Sequence, residues 1–433
     1  MIVKGKNYRY GIHVPDNKSL SKDKEIEVFP SPKMVYVSLT QHIGAPAQAV
    51  VNVGDKVKKG MLIGKETGFV SANVYSPISG EVKSIERITN GLQQNQEYVV
   101  IENDNLNEEE FLSPLTTFSK EEIVARIREA GIVGLGGAGF PTAVKFSPKE
   151  PIDTLIINGA ECEPYLTCDY RLMLERADDI YKGIKYIKIA LGVSNVIVGI
   201  EKNKPDVIEK FGKLFPDLKI VALKKQYPMG SEKHLIYCTT GRKVPVGKLP
   251  MDVSVCVANI KTVIACLEAV EDNKPLTEIV LTVSGNGIVE PKNLLVPLGT
   301  SFSEIIEFCG GLTEKAEKII AGGPMMGKTL INLNHFARKT DSGITVLTKD
   351  ETDIANPTNC INCAKCASNC PMRLMPMYIE AFALAGDFES AEKYGAMNCL
   401  ECGSCAYNCP AKRSLVQSIN YAKSKIRELK TNG

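Results

Sequence analysis

Between residues 116 and 272 the hydrophobic pattern of the chain alternates between a helical period and a strand period. The stretch SKEEIVARIREAGIVG predicts a helix capped by Ser119, with Glu122 three residues on completing a capping box. Strands are predicted at 153–158, 195–201 and 218–223, and helices at 173–191, 205–214 and 259–271. Such alternation predicts an α/β layer built on a mostly parallel sheet.

A series of short strands precedes this layer. A polar, irregular arm over residues 1–28 is expected to lie on another surface, and strand patterns separated by glycine turns follow from residue 30 onward. This region resembles the barrel-sandwich hybrid of biotinyl and lipoyl carrier domains. The resemblance is one of fold only, because the hairpin Ser71-Ala72-Asn73 offers no lysine for a swinging arm.

Two smaller units follow the α/β layer. Two strands are predicted around Gly285-Asn286-Gly287, followed by a short helix capped by Ser303, which together indicate a β-grasp-like domain. Beyond it, an amphipathic helix pair over 376–395 and a basic amphipathic helix over 414–429 accompany a cysteine-rich region. The predicted domains are 1–115, 116–272, 273–348 and 349–433.

The composition is that of an ordinary soluble protein. The chain has 433 residues, is 44% hydrophobic and 24% charged, and carries a formal net charge of +2, so nothing calls for nucleic acid. No signal peptide and no membrane-length apolar run are predicted, so any membrane association is expected to be peripheral. Fourteen cysteines without a secretory signal indicate a reducing compartment.

Eight of these cysteines form two copies of the pattern C-x2-C-x2-C-x3-C-P. The copies supply Cys360, Cys363, Cys366, Cys370, Cys399, Cys402, Cys405 and Cys409. Two-residue gaps let consecutive sulfurs converge on one face of a loop, and the closing proline ends the helix that would splay them. Disulfides are disfavoured in this compartment, and zinc sites usually take cysteines in pairs. The pattern therefore favours two iron-sulfur clusters.

Both runs have the spacing of bacterial two-cluster ferredoxins, in which the fourth cysteine of each run crosses to the other [4Fe-4S] cluster. The resemblance implies two crossed ligand sets. One set is Cys360, Cys363, Cys366 and Cys409, and the other is Cys399, Cys402, Cys405 and Cys370.

A second candidate site is the glycine-dense loop after the first predicted helix. Gly134, Gly136, Gly137 and Gly139 let backbone N–H groups close on an anion, and Lys145 places a cation beside it. The glycines do not match G-x-G-x-x-G, and the loop follows a helix instead of a strand. Taken alone, the loop is either a structural turn or a phosphate cradle.

Three further motifs follow this loop in order. They are Asn158-Gly159-Ala160-Glu161-Cys162-Glu163-Pro164 at a strand end, Tyr227-Pro228-Met229-Gly230-Ser231-Glu232, and Val257-Ala258-Asn259-Ile260-Lys261-Thr262. With the loop ending GAGFPT, they resemble the flavin- and NADH-binding subunit of respiratory complex I. Ala160 and Ala258 depart from that subunit's pattern, and it carries one cluster where this chain has two cysteine motifs.

With the N-terminal hybrid included, the chain from Gly11 to the second cysteine run resembles the RnfC family. Members of that family are the C subunit of the Rnf complex, a membrane-bound ion-translocating ferredoxin:NAD oxidoreductase. The resemblance implies a multidomain α/β protein. Its parts would be an all-β barrel-sandwich hybrid, an α/β FMN- and NADH-binding domain, an SLBB-like β-grasp domain and an α-helical two-cluster ferredoxin-like domain.

The resemblance also implies roles for individual residues. The loop glycines and Lys145 would hold the FMN phosphate. The isoalloxazine or ribityl chain would bond to Asn158, Glu161 and Asn259. The NADH side would be lined by Glu163, Tyr227 and Glu232, and Phe140 would stack on the nicotinamide or adenine. For Phe140 and Tyr227 a packing role in the core remains an alternative.

The implied function is electron transfer between NAD(H), FMN and two [4Fe-4S] clusters, on the cytoplasmic face of the cell membrane. The implied partners are the membrane subunits of the Rnf complex, its ferredoxin-like B subunit and ferredoxin. One rival is the cobalamin reductase of bacterial microcompartments, which shares the flavin domain and paired clusters. Another rival is a flavin-free iron-sulfur relay in which the glycine loop merely packs.

One matching pattern is rejected. The stretch from Gly322 to Thr329 satisfies the P-loop expression G-x4-G-K-T. A P-loop needs a helix whose N-terminus faces the phosphate, yet no helical period follows, and Pro324 removes an N–H that the cradle would use. The stretch is predicted to be a tight turn between the third domain and the cluster domain.

Overall fold

The computed structural model of the protein describes residues 1–352 and 356–432. Residues 353–355 and 433, which fall in the predicted cluster domain, lie outside the described residues. The described strands form four sheets. None of the described helices combines the length and the apolar character that a membrane crossing requires.

The N-terminal arm contributes one strand to each of two different sheets. β1 (Ile2–Lys4) pairs with a strand of the α/β layer, and β2 (Ile26–Val28) pairs with a strand of the third sheet. A short 3-10 helix at Lys18–Leu20 lies between them. The arm therefore lies on other surfaces as predicted, but the prediction that it is irregular is wrong for its two strands.

Two small sheets form the barrel-sandwich hybrid. Their strands are β3 (Met34–Ser38), β4 (Gln48–Ala49), β5 (Lys56–Val57), β6 (Leu62–Lys65), β7 (Val74–Tyr75), β8 (Gly80–Thr89) and β9 (Asn95–Asn103). One sheet has the order β3-β9-β8-β5 and the other β4-β6-β7. Alternate residues such as Val35 and Val37 point into a buried core, as the strand period predicts.

The α/β layer contains the helices and strands that the sequence predicts, together with three elements that it does not predict, over 142–145, 232–240 and 255–259. They are α1 (Lys120–Glu129), α2 (Thr142–Lys145), β10 (Thr154–Gly159), α3 (Cys168–Glu175), α4 (Ala177–Leu191), β11 (Asn195–Glu201), α5 (Pro205–Leu214), β12 (Lys219–Leu223), α6 (Glu232–Thr240), β13 (Val255–Asn259) and α7 (Ile260–Glu271). The strand order is β1-β12-β11-β10-β13, and every pairing is parallel. Helices cover the sheet, so its strands are nearly continuous apolar runs.

Two local predictions in this layer need correction. The helix predicted over 173–191 is broken at Arg176, whose backbone leaves the helical region while its guanidinium binds Asp179 and Glu268. Ser119 caps α1 by accepting from the Glu122 amide, but the Glu122 carboxylate accepts from Thr117 instead of Ser119. The capping box is therefore only half formed.

The third sheet has the order β17-β16-β18-β14-β15-β2. Its elements are β14 (Glu278–Ser284), β15 (Lys292–Pro297), α8 (Phe302–Phe308), β16 (Ala316–Ala321), β17 (Lys328–Thr329) and β18 (Gly343–Thr348). Ser301, not the predicted Ser303, caps α8. The P-loop-like stretch is a turn without a helix, but it joins β16 to β17 inside this sheet and does not link two domains.

The C-terminal unit is helical. It contains α9 (Lys365–Ser368), α10 (Pro376–Leu384), α11 (Phe388–Lys393), α12 (Ser404–Tyr407) and α13 (Leu415–Asn432). The apolar face of α13 packs on α10 and α11 through Ile379, Ala391 and Ile419, which are fully buried. The basic terminal helix therefore belongs to the core of this unit, as its amphipathic pattern predicts.

Candidate functional site

The carboxyl ends of β10 and β13 meet where the strand order of the parallel sheet reverses. From β10 the chain moves outward through β11 and β12, then returns to place β13 on the other side of β10. Asn158 at the end of β10 and Asn259 at the end of β13 are register partners. Open α/β sheets bind ligands at such a switch point.

A cavity of about 310 Å³ opens at this switch point. Nine of the twelve residues predicted to bind cofactor line it, and these are Gly134, Gly136, Gly137, Gly139, Phe140, Lys145, Asn158, Glu232 and Asn259. The four sequence motifs therefore meet around one space, which we call the switch-point cavity.

The glycine loop forms one wall of this cavity. Its neck is closed by a hydrogen bond of 2.8 Å from the Gly134 amide to the Phe140 carbonyl. Gly139 has a φ of +72°, and a Cβ there would lie 3.2 Å from the Gln41 carbonyl oxygen of the hybrid domain and 2.8 Å from the Thr340 side chain, which belongs to the domain of the third sheet. At Gly134 and Gly137 a Cβ would meet no atom of the described residues within 3.5 Å, so their missing side chains leave room in the cavity. Such a backbone cradle suits a phosphate.

Lys145 supplies the cation of the cavity wall. Its Nζ lies 2.9 Å from Oε1 of Glu232, and both side chains are partly exposed. Burial lowers the pKa of Lys145, but the Glu232 carboxylate outweighs that effect and leaves the pKa above its ordinary value. Lys145 is therefore a permanent positive charge in the cavity.

Both asparagines at the strand ends already make protein hydrogen bonds. Asn158 donates to the Gly230 carbonyl at 2.9 Å, and Asn259 donates to Oδ2 of Asp169 at 2.7 Å. The Asn259 side-chain oxygen also caps α7 by accepting from the Lys261 amide. These bonds fix the orientation of both amides at the cavity wall.

Sequence reasoning missed Thr142, which also lines the cavity. Its hydroxyl is buried and has no hydrogen-bond partner among the described residues. A buried polar group without a partner carries a desolvation cost, which a ligand oxygen would offset. The signal was present in the sequence, because Thr142 is the last residue of the GAGFPT motif.

The remaining three predicted residues, Glu161, Glu163 and Tyr227, do not line the switch-point cavity. The Glu161 carboxylate accepts from the Asp169 amide at 2.7 Å and lies 3.4 Å from Lys18 of the arm. Its bond to the isoalloxazine or ribityl chain therefore stays a prediction, and the Asp169 amide and Lys18 would compete with the flavin for the Glu161 carboxylate. Lys18 was not singled out from the sequence, since a lone lysine in a polar arm gives no signal.

Glu163 and Tyr227 lie on the side of the switch-point cavity that faces the cysteine-rich unit. The Tyr227 hydroxyl donates to Glu163 at 3.4 Å, and Glu163 also accepts from the Met325 and Met326 amides. Burial raises the pKa of Glu163 to about 7. The Tyr227 ring packs with Cys402, so this pair lies beside the cysteine-rich unit.

The eight cysteines surround two separate pockets. One pocket is lined by Cys360, Cys363, Cys366 and Cys409, and the other by Cys370, Cys399, Cys402 and Cys405. This grouping matches the crossed sets that the ferredoxin spacing implies. We call them the first and second cysteine groups. Four thiols around each pocket are a donor set that fits a [4Fe-4S] cluster.

The two groups differ in their surroundings. Cys360 and Cys363 of the first group are exposed, whereas Cys402 of the second group is buried beside Tyr227. Backbone amides of Leu374 and Glu401 donate to the sulfurs of Cys370 and Cys399. The second group is therefore the one that packs against the α/β layer.

Helix α6 links the cavity to the second cysteine group. Its first residue, Glu232, lines the cavity. Two residues further along the helix, Nε2 of His234 lies 3.2 Å from the carbonyl oxygen of Pro371, the residue that follows Cys370. The other ring nitrogen of His234 is 2.7 Å from the Ser231 hydroxyl. Burial lowers the pKa of His234, so Nε2–H of the neutral ring donates to Pro371.

Full-length relatives decide the family. The chain is 46% identical to the C subunit of the proton-translocating ferredoxin:NAD(+) oxidoreductase complex of Clostridium ljungdahlii, over 98% of this chain and 94% of the relative. The chain belongs to the RnfC family. The Na(+)-translocating counterpart of Acetobacterium woodii is 40% identical over 98% of both chains. The C subunit of the ion-translocating oxidoreductase complex of Rhodobacter capsulatus is 46% identical over 97% of this chain and 83% of the relative.

Family models cover the RnfC chain in four consecutive parts. They are the RnfC barrel sandwich hybrid domain at 6–106, the Nuo51 FMN-binding domain at 127–268, the SLBB domain at 280–329 and a 4Fe-4S dicluster domain at 359–412. These matches confirm the predicted fold class. They also confirm FMN and two [4Fe-4S] clusters as the cofactors of this RnfC member.

A solved structure supports the same fold at low sequence identity. An NAD+-reducing [NiFe]-hydrogenase in the air-oxidized state aligns with a TM-score of 0.50 at 17% identity, covering 71% of this RnfC chain and 66% of the hydrogenase chain. The likeness concerns the fold alone.

Proposed function

We propose that this chain is the NAD(H)-reacting subunit of an ion-translocating ferredoxin:NAD oxidoreductase complex. FMN, when bound, supplies the conversion between the two-electron chemistry of nicotinamide and the one-electron chemistry of iron-sulfur clusters. The observation that carries the proposal is the position of α6, which reaches from Glu232 in the switch-point cavity to the loop after Cys370.

In this proposal the cavity residues divide the work of binding. Gly134, Gly136, Gly137, Gly139 and Lys145 hold the phosphate, and the Thr142 hydroxyl adds a donor. Asn158 and Asn259 hold the flavin ring or ribityl chain. Phe140, 36% exposed at the cavity wall, offers a face to the nicotinamide or adenine, beside Glu232.

Glu161 acts behind this wall. Its carboxylate holds the Asp169 amide, and the Asp169 carboxylate in turn holds the Asn259 amide that lines the cavity. In addition to its predicted bond to the flavin, we therefore propose that Glu161 is a positioning residue for Asn259. Glu163 and Tyr227 fill the space between the cavity and the second cysteine group.

The cysteine groups are proposed to bind the two clusters as they are arranged in the structure. The second group, buried against the α/β layer, faces the flavin side. The first group, with Cys360 and Cys363 exposed, faces a partner. We place the chain as a peripheral subunit on the cytoplasmic face of the membrane, with the Rnf membrane subunits, the ferredoxin-like B subunit and ferredoxin as partners.

The relatives and the family model favour this proposal over its rivals. Membership of the RnfC family disfavours a cobalamin reductase, and the FMN-binding domain disfavours a flavin-free relay. The identity of the translocated ion is not part of the proposal, because one relative is named as proton-translocating and another as Na(+)-translocating.

The test is anaerobic reduction of the purified chain, loaded with iron and sulfide, with and without FMN. NADH should bleach the iron-sulfur absorbance only in the FMN-loaded sample, while dithionite should bleach both. The flavin-free sample is the matched control for direct reduction. Failure of NADH to bleach the FMN-loaded protein would refute the proposal, and co-purification from native membranes tests the partners.

A further inference from the structure

A groove of about 520 Å³ lies between the N-terminal arm, α6 and the loop that follows Cys370. Its lining includes four cationic side chains, those of Arg9, Lys233, Lys243 and Arg373, and no acidic side chain among the described residues. We call it the basic groove. It lies outside the switch-point cavity, although Lys233 directly follows Glu232 of that cavity on α6.

The four cations have no counter-ion among the residues that the structure describes. Within residues 1–352 and 356–432, none of them forms an ion pair with an Asp or Glu side chain. The chain as a whole is nearly neutral, with a net charge of +2, so this concentration of one sign is local. Four unpaired like charges around one concave surface produce a strong positive potential there.

A single aromatic ring, that of Tyr10, holds two of these cations in place. The guanidinium carbon of Arg373 lies 4.9 Å from the centroid of the Tyr10 ring, and that of Arg9 lies 5.9 Å from it. Arg373 also has a φ of +57°, which non-glycine residues rarely adopt. Cation–π contacts limit side-chain freedom, so these guanidinium groups are arranged before any partner arrives.

The position of the groove ties it to electron transfer. Its floor includes Pro371, whose carbonyl accepts from His234, and Pro371 directly follows Cys370 of the second cysteine group. Three of the four cations, Arg9, Lys243 and Arg373, are exposed. The groove is therefore open to a large partner, whereas small-molecule sites bury most of their ligand.

We propose that the basic groove docks an acidic segment of another protein of the same electron-transfer assembly. Arginine and tyrosine are enriched at protein interfaces, and unpaired cations on a concave surface select an anionic partner through electrostatic complementarity. An acidic segment seated here would supply the counter-ions that the described part of the chain lacks and would lie against the loop of the second cysteine group. The inference rests on the proposed function in one respect, namely that the chain is one subunit of an assembly.

The experiment is carbodiimide cross-linking of the assembly in native membranes, with an affinity tag at the C-terminus of this chain. Carbodiimide joins a lysine amine directly to a contacting carboxylate, so mass spectrometry should find Lys233 or Lys243 linked to Asp or Glu residues of another subunit. The double variant Lys233→Glu/Arg373→Glu should reduce recovery of that subunit at moderate salt by about tenfold, because it reverses the charge at the contact.

The double variant Lys185→Glu/Lys188→Glu on α4 is the matched control, since it changes the net charge equally on another face. Iron content and NADH-driven bleaching should stay at wild-type levels in both variants, which shows that they fold. If the first variant fails to fold, Lys233→Gln/Arg373→Gln replaces it.

Three outcomes overturn the docking site. The first is that neither Lys233 nor Lys243 is cross-linked to another subunit. The second is that the Lys233→Glu/Arg373→Glu variant recovers the partner in full. The third is that this variant forms an intact assembly but has a higher Michaelis constant for NADH, which would make the groove a nucleotide site. A wild-type chain that NADH cannot bleach refutes the proposed function alone, because the cross-links are read independently of activity.

Discussion

The ε-amino group of Lys145 lies 2.9 Å from a carboxylate oxygen of Glu232 in the wall of the switch-point cavity. These residues come from α2 and α6, 87 positions apart in the chain. The pair joins the glycine loop to the helix that reaches the second cysteine group. Removing either partner would change both the cavity and that connection.

Replacing Lys145 with alanine should weaken FMN binding by about tenfold to a hundredfold. A charge-assisted hydrogen bond to phosphate contributes roughly 1.5–3 kcal/mol, and no other lysine or arginine among the described residues lines the switch-point cavity. Flavin content after purification and fluorescence titration measure the loss. Lys149→Ala, which removes an exposed lysine nearby, is the control. Full flavin content in the Lys145→Ala protein would contradict the phosphate assignment.

Replacing Thr142 with valine should have opposite effects on the empty and the flavin-loaded protein. The hydroxyl has no partner among the described residues of the cavity wall, so its removal should leave the melting temperature of the flavin-free protein unchanged or raised. FMN affinity should fall by a few fold, for the loss of a hydrogen bond of about 1 kcal/mol. Thr262→Val is the contrast, because the Thr262 hydroxyl accepts from the Leu135 amide and its loss should destabilise the empty protein. Equal flavin affinity in wild type and Thr142→Val would exclude a contact.

The crossed cysteine groups predict a pattern among double variants. Cys370→Ala should lower the iron content by about four per chain, and adding Cys399→Ala should change little, because both residues line one pocket. Adding Cys366→Ala instead should remove the remaining iron, because Cys366 lines the other pocket. Iron analysis and electron paramagnetic resonance of the reduced proteins report each cluster. If the first double variant loses all iron and the second keeps half, the grouping is not crossed.

Stability should depend on pH through the buried carboxyl group of Glu201. Burial raises the pKa of Glu201 from 4.5 to about 7, and its Oε1 atom has no hydrogen-bond partner among the described residues. Because the folded state holds this proton more tightly than the unfolded state, Glu201 costs stability as the pH rises from about 4.5 to 7.

Glu201→Gln should remove that cost. The melting temperature of the variant, relative to that of wild type, should therefore increase as the pH rises through this range. At neutral pH the variant should exceed wild type in unfolding free energy by on the order of 3 kcal/mol. Glu209→Gln on the surface of α5 is the control. A constant offset between variant and wild type across the pH range from the ordinary to the raised pKa would show that Glu201 does not titrate there.

The sequence was most informative where periodicity and motif order coincide. The α/β layer follows from alternating periods, and Asn158 could be placed at a strand end because its motif closes an apolar run. The cysteine grouping was also within reach, since the ferredoxin spacing implies which sulfurs converge. In these cases local chemistry and overall topology specify the same arrangement.

Long-range partners were beyond such reasoning. The direction of Glu161 depends on Lys18, which is 143 positions away, and the strand character of residues 2–4 depends on an edge offered by β12. The sequence pattern predicts Ser303 as the cap of α8, whereas the structure has Ser301. An error of two residues is common when a helix boundary is predicted from sequence. These misses concern residues whose partner lies far along the chain or whose neighbour has the same chemistry.

The pairing of the arm with two sheets sets an order of events during synthesis. Ile2 lies beside Ile220 and Val28 beside Leu295, so each strand of the arm waits for a partner that is translated more than two hundred residues later. Until then both strands present unpaired backbone groups, which are exposed to aggregation. The arm can pair with the α/β layer and the third sheet only after both have been translated. Once paired, this one segment of the chain connects the two sheets.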